Sequence, residues 1–112
     1  MNQYGSHTDP ELFTLIATGD EAAFAEIYLR YTEKLYPHVA KLLDADDWAE
    51  EIVQDVFTKL WQVKETLTTI ENPNAYLYRM AANRTIDHMR KMATEELFYA
   101  TSYLKLHKDN MN

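Results

Sequence analysis

The sequence predicts an all-α fold, a compact bundle of about four helices. Three observations carry that expectation. Only two glycines and three prolines occur in 112 residues, far too few turn formers for a hairpin-rich β protein. No stretch alternates polar and apolar residues as a half-buried strand does. Apolar residues recur instead at steps of three and four among good helix formers. A chain of this length fits one domain, with a core sufficient for marginal independent stability.

The elements follow in chain order. Residues 1–8 are polar and aperiodic, and a flexible N-terminus is expected there. Thr8-Asp9-Pro10-Glu11 combines an oxygen-bearing cap, Pro in the first turn and a Glu placed to close a capping box. Leu12, Phe13, Leu15 and Ile16 give the first helix a short apolar face. Gly19 suits the left-handed position that ends it, and Asp20 can cap the next helix. From Asp20 to about Leu43, one face carries Phe24, Ile27, Tyr28, Tyr31, Leu35, Val39 and Leu42. Pro37 lies inside that helix, where it removes one backbone hydrogen bond and crowds the Glu33 carbonyl, so a kink is expected.

The acidic turn Asp44–Asp47 starts a third helix, whose pattern covers Asp46–Gln62 and is expected to reach about Lys64. Ala49, Ile52, Val53, Val56, Phe57, Leu60 and Trp61 form one apolar stripe. Glu50, Glu51, Gln54, Asp55, Thr58 and Lys59 fall on the opposite face. Glu65–Glu71 is rich in β-branched residues and reads as a loop. Asn72-Pro73 is a strong helix start, and the last long helix is expected to run to about Lys91. Residues 93–112 allow a short further helix through Leu97, Phe98, Tyr99, Tyr103 and Leu104. His107–Asn112 reads as disordered.

On an ideal wheel at 100° per residue, with Arg79 at zero, Arg90 falls near 20°, Asn83 near 40° and Tyr76 near 60°. Leu77, Tyr78, Ala81, Ala82, Thr85 and Met89 take the core side. The exposed stripe has the parts a nucleic acid would use. Arg neutralises phosphate, Asn offers donors and acceptors to base edges, and Tyr offers a face for stacking. Exposed Arg, Asn and Tyr are also ordinary on solvated helices, so the stripe alone is a weak footprint.

Whole-chain charge is −7, yet it is unevenly placed. Residues 1–63 hold twelve acids and four bases, a balance of −8, whereas residues 73–92 hold Arg79, Arg84, Arg90 and Lys91 against Asp87, a balance of +3. An acidic body beside a basic helix suits two partners of different character. There are no cysteines, which excludes disulfides and thiolate metal sites. The four histidines are scattered without a Glu-x-x-His pattern. No nucleophile elbow or Gly-rich phosphate loop occurs, so an enzyme lacks its parts and no cofactor is expected. With no membrane-length apolar run and no signal-peptide pattern, a cytoplasmic protein is expected.

Two segments in this order, Glu50–Trp61 (EEIVQDVFTKLW) and Asn74–Lys91 (NAYLYRMAANRTIDHMRK), closely resemble region 2 of the sigma-70 family. The likeness is nearest to the extracytoplasmic-function (ECF) group of transcription initiation factors. It extends from about Pro10 to Lys91. It implies that the polar face of the third helix docks on a coiled coil of the largest RNA polymerase subunit, through Glu51, Gln54, Asp55 and Thr58, with Trp61 at the margin. It implies further that the loop and last helix bind the promoter −10 element, chiefly as unwound non-template strand, with one base flipped into a pocket. Leu67 and Ile70 would supply walls of that pocket. Tyr76, Tyr78, Arg79 and Asn83 would contact bases, and Arg84, Arg90 and Lys91 would hold phosphates. The wheel agrees for Tyr76, Arg79 and Asn83 but turns Tyr78 toward the core, where packing is its expected role.

An anti-sigma factor is a further expected partner. The loop lacks a basic residue, so its base-contacting positions are not singled out by charge. Nothing after Lys91 has a helix-turn-helix pattern, and residues 93–112 read as the start of a linker before the second domain typical of the family, region 4. The rival readings are a helical protein–protein adaptor without DNA binding and a small helical enzyme or metal protein.

Overall fold

The computed structural model describes residues 3–110. Four α-helices and one 3-10 helix make up the fold, and no strand occurs among the described residues. The helices are α1 (Asp9–Ala17), α2 (Glu21–Leu43), α3 (Ala49–Gln62) and α4 (Pro73–Asn110), with the 3-10 helix over Lys64–Thr69. α1 packs on the 3-10 helix and on α2, α2 lies against α3 and α4, and α3 against α4. The core they enclose is built from Leu12, Phe13 and Ile16 of α1, Ile27, Tyr31, Leu35 and Val39 of α2, and the α3 stripe. Six of the seven residues expected in that stripe, Ala49 to Leu60, are buried.

The caps form as the sequence dictates. Thr8 accepts from the Glu11 amide while Glu11 reaches back to the Thr8 N–H, at 3.0 Å. Gly19 takes φ 91° after α1, and Asp20 Oδ1 accepts from the Ala23 amide at 3.1 Å. Asn72 Oδ1 accepts from the Ala75 amide at 3.0 Å, ahead of Pro73 at the first position of α4. α2 continues through Pro37 to Leu43, so the proline does not end the helix.

Several expectations are corrected. The N-terminal segment is not loose from residue 3 onward. The Tyr4 hydroxyl donates to Asp20, and Arg30 Nη2 donates to the carbonyls of Tyr4 and Gly5 at 3.1 and 3.2 Å. The same guanidinium reaches Glu26 at 2.7 Å and Asp9 at 2.9 Å, and Tyr31 donates to Asp9. Burial alone would lower the Arg30 pKa, but its hydrogen bonds to Glu26 and Asp9 more than offset this and hold it above the usual value. This network ties α1 to α2 through polar atoms that hydrophobic periodicity does not register.

α3 starts at Ala49 rather than Asp46. Trp48 precedes it with φ 72° and no side-chain cap, so the acids Asp46 and Asp47 stay in the turn. The presumed loop contains the 3-10 helix, whose turns are held by Thr66 and Thr69 hydroxyls donating to the Val63 and Thr66 carbonyls at 2.8 and 2.7 Å. Threonine disfavours long helices but suits this local back-bonding. α4 does not stop near Lys91. It is one helix of 38 residues, about 57 Å long at 1.5 Å per residue, in a molecule measuring 70 × 25 × 22 Å. The disorder expected over residues 107–112 is replaced by helix through residue 110; residues 111–112, like 1–2 of the expected flexible N-terminus, lie outside the described residues. Met89, expected in the core, is 46% exposed, and Leu42 is 43% exposed, because both sit near helix ends where no neighbouring helix covers them.

Candidate nucleic-acid and protein interface

Seen from outside, α3 presents a polar ridge with a depression on either side. On one side lies a cleft of about 560 Å³ between α3 and α4. Asp55, Thr58 and Gln62 form its α3 wall, and Tyr76, Arg79, Asn83 and Arg84 its α4 wall. On the other side, α2 and α3 enclose two adjoining grooves of about 400 and 410 Å³. Gln54 and Tyr28 line both grooves, with Tyr36 and Glu50 at one end and Phe24 and Trp61 at the other.

The α4 wall follows from the helical wheel. Leu77, Ala81 and Thr85 are buried, which turns Arg79 and Asn83 outward. Thr85 satisfies its hydroxyl on the Ala81 carbonyl at 2.7 Å. Tyr76 is half-buried, with its ring edge-on to Phe13 at 6.2 Å between centroids. One side of the ring is thereby fixed while another borders the cleft. Tyr78 is half-buried, with its ring edge-on to His38 at 4.9 Å, as a packing residue would be.

The candidate residues do not all meet. Leu67 is 1% exposed and sits in the core, and Ile70 is half-buried against it. Neither lines the α3–α4 cleft. Leu67 therefore serves as the apolar anchor of the 3-10 helix, a position its β-branched neighbours conceal in the sequence. Arg90 and Lys91 are exposed beyond the cleft, Lys91 beside a smaller depression of about 210 Å³ with Glu51, Trp48 and His88. Trp61 lies against Phe24 at 5.2 Å, with Lys64 Nζ 4.8 Å above its ring. Gln54 Nε2 donates to the Tyr28 hydroxyl at 2.8 Å.

Arg84 and Asp55 were expected to face different partners, phosphate and polymerase. They face each other instead: Arg84 Nη2 lies 2.8 Å and Nε 3.1 Å from Asp55 Oδ2. Sequence reasoning also missed Tyr28 and Tyr36 of α2. They appeared only as core-stripe or unassigned positions, although Tyr36 is 37% exposed. A pair of tyrosines eight apart on one helix face is the signal that could have exposed the groove. Among the described residues no group of three or more His, Asp or Glu could hold a metal, and no helix is long and apolar enough to cross a membrane.

Comparison with known proteins places this architecture. The model of the sigma-70 region 2 family matches residues 27–94, from the middle of α2 through both walls of the cleft. The ECF RNA polymerase sigma factor SigW of Bacillus subtilis is 33% identical over 76 residues, covering 68% of this chain and 41% of SigW. RpoE of Cereibacter sphaeroides, also an ECF RNA polymerase sigma factor, is 33% identical over 84 residues, 71% of this chain and 46% of RpoE. SigK of Mycobacterium ulcerans is 31% identical over 80 residues, 70% and 43% of the two chains. The chain thus spans less than half the length of these relatives. No solved structure matches it. The match across α2, α3 and α4 shows that the chain belongs to the sigma-70 family, as a region 2 domain of the extracytoplasmic-function type.

Proposed function

We propose that this domain acts in transcription initiation, binding RNA polymerase core through the α2–α3 side and the non-template strand of the promoter −10 element through the α3–α4 side. The observation that carries the reading is the α3 ridge itself, whose two flanks differ in chemistry. The α2–α3 grooves are lined by aromatic rings with Gln54 and Glu50, a surface that suits a helical partner bearing basic side chains. The α3–α4 cleft offers Arg79, Asn83 and the Tyr76 ring, which suit an unpaired strand. The relatives named as RNA polymerase sigma factors support both halves.

Strand capture would drive opening. Stacking contributes about 1–3 kcal/mol per base, comparable to the few kcal/mol that flipping a base costs. In this scheme Asn83 selects bases, Tyr76 stacks, and Arg79, Arg90 and Lys91 hold phosphates. Leu67 fixes the connection between α3 and α4 from within, and Ile70 borders the start of α4. Glu51, Thr58 and Trp61 extend the polymerase face along the ridge. An anti-sigma factor would compete for that same face.

Two measurements test the proposal. Fluorescence anisotropy with single-stranded oligonucleotides should show that Asn83→Ala weakens some sequences more than others. Arg90→Ala should weaken all alike, with the salt slope falling by about 0.7. Equal losses for every sequence with both variants would refute base reading by Asn83. Pull-down with polymerase core should fail for the double variant Tyr28→Ala, Gln54→Ala; undiminished capture would refute the docking face. Core capture without any DNA binding would favour the adaptor reading.

A further inference from the structure

We propose that the Asp55–Arg84 ion pair is an internal competitor for DNA, relieved when a cationic side chain of the protein partner takes over Asp55. The inference rests on the function proposed above and assigns a coupling device to its two faces. Arg84 lines the α3–α4 cleft beside Arg79 and Asn83. Both of its donors engage a single oxygen, Asp55 Oδ2, so the pair is close to neutral as seen by a phosphate. Asp55 stands on the ridge one residue from Gln54, which faces the α2–α3 grooves. One carboxylate thus touches both territories.

The pair is built to exchange. Its side chains are 42% and 37% exposed, which puts it among ion pairs of small net worth that salt screens readily. A partner cation approaching the ridge can displace the guanidinium without breaking any core contact. Once released, Arg84 adds a full positive charge to a wall where Asp87 and Lys59 otherwise balance each other. Protein docking and strand binding then reinforce one another by linkage.

The test uses the full chain and a fluorescein-labelled single-stranded DNA of mixed sequence, titrated at several salt concentrations. Asp55→Asn is expected to tighten binding about two- to fivefold and to steepen the salt slope by about 0.7, the signature of one added phosphate contact on a single strand. Asp87→Asn removes the same charge from the same cleft without freeing an arginine, and is expected to leave the slope unchanged. In an Arg84→Ala background, Asp55→Asn is expected to give no gain in slope. Equal effects of Asp55→Asn and Asp87→Asn, or a gain that persists without Arg84, overturn the proposal in favour of plain charge removal. Wild-type protein that binds no DNA at any salt counts against the −10 reading. The switch then stands or falls separately, on whether Asp55→Asn restores binding.

Discussion

Arg84 Nε and Nη2 converge on one oxygen of Asp55, at 3.1 and 2.8 Å, and so join the outer faces of α3 and α4 across the mouth of the cleft. Because both side chains are more than a third exposed, the link is expected to add little to stability. A double-mutant cycle of Arg84→Ala and Asp55→Ala, read by chemical denaturation, is expected to give a coupling below about 1 kcal/mol that shrinks with salt. A coupling of several kcal/mol would make the pair a structural clamp.

Leu67 behaves as a core residue. Leu67→Ala is expected to cost about 2–5 kcal/mol, the range for truncating a buried leucine. Ile70→Ala should cost less, since Ile70 is only half-buried. Thermal melts followed by circular dichroism separate the two. Similar small losses would put Leu67 at the surface.

Trp48 holds φ 72° at the entrance to α3, a conformation that costs a residue with a Cβ roughly 1–3 kcal/mol. Its ring lies against His88 at 5.3 Å. Trp48→Gly removes the ring and the backbone strain together, whereas Trp48→Ala removes only the ring. The glycine variant is expected to be the more stable of the two by about 1 kcal/mol. The reverse order in melting temperature would show that the strain is absent.

Burial first, and then its hydrogen bond to Asp9, push the Tyr31 hydroxyl up to about 12. The folded state therefore holds this proton more tightly than the unfolded chain, where tyrosine titrates near 10. The resulting stability is intact below pH 10 and is lost as pH rises from about 10 toward 12. Tyr31→Phe is expected to flatten that alkaline decline in melting temperature. An unchanged pH profile in the variant would remove Tyr31 as its source.

What the sequence made legible depended on whether apolar spacing or local hydrogen bonding set the structure. The α3 stripe repeats cleanly, and its residues from Ala49 to Leu60 are buried. Thr8, Asp20 and Asn72 cap by short-range rules and do so here. Tyr76, Arg79 and Asn83 share a cleft wall because a helical wheel is accurate over two turns. The 3-10 helix escaped notice because threonine scores poorly as a helix former, and its hydroxyl back-bonding is invisible to periodicity. Arg30 was hidden because its partners Tyr4, Gly5 and Asp9 lie more than twenty residues away. The Arg84–Asp55 pair spans 29 positions; each residue was assigned from its own helix, and no single-helix argument reveals that two helices share a charge.

The length of α4 carries a different consequence. Asn83 on the cleft wall and Leu106 near the far end belong to one uninterrupted helix, about 35 Å apart at 1.5 Å per residue. A rigid rod transmits rotation as well as distance. Inserting one alanine near residue 94 turns everything beyond it by about 100° relative to the cleft, whereas inserting eleven restores the original phase and lengthens the rod by about 16 Å. The apolar side chains Leu97, Phe98, Tyr99, Tyr103, Leu104 and Leu106, each more than 60% exposed, are thereby held at set angles about that axis. The helix is a protractor as much as a spacer, and its phase rather than its composition decides which of them face the same way as Asn83.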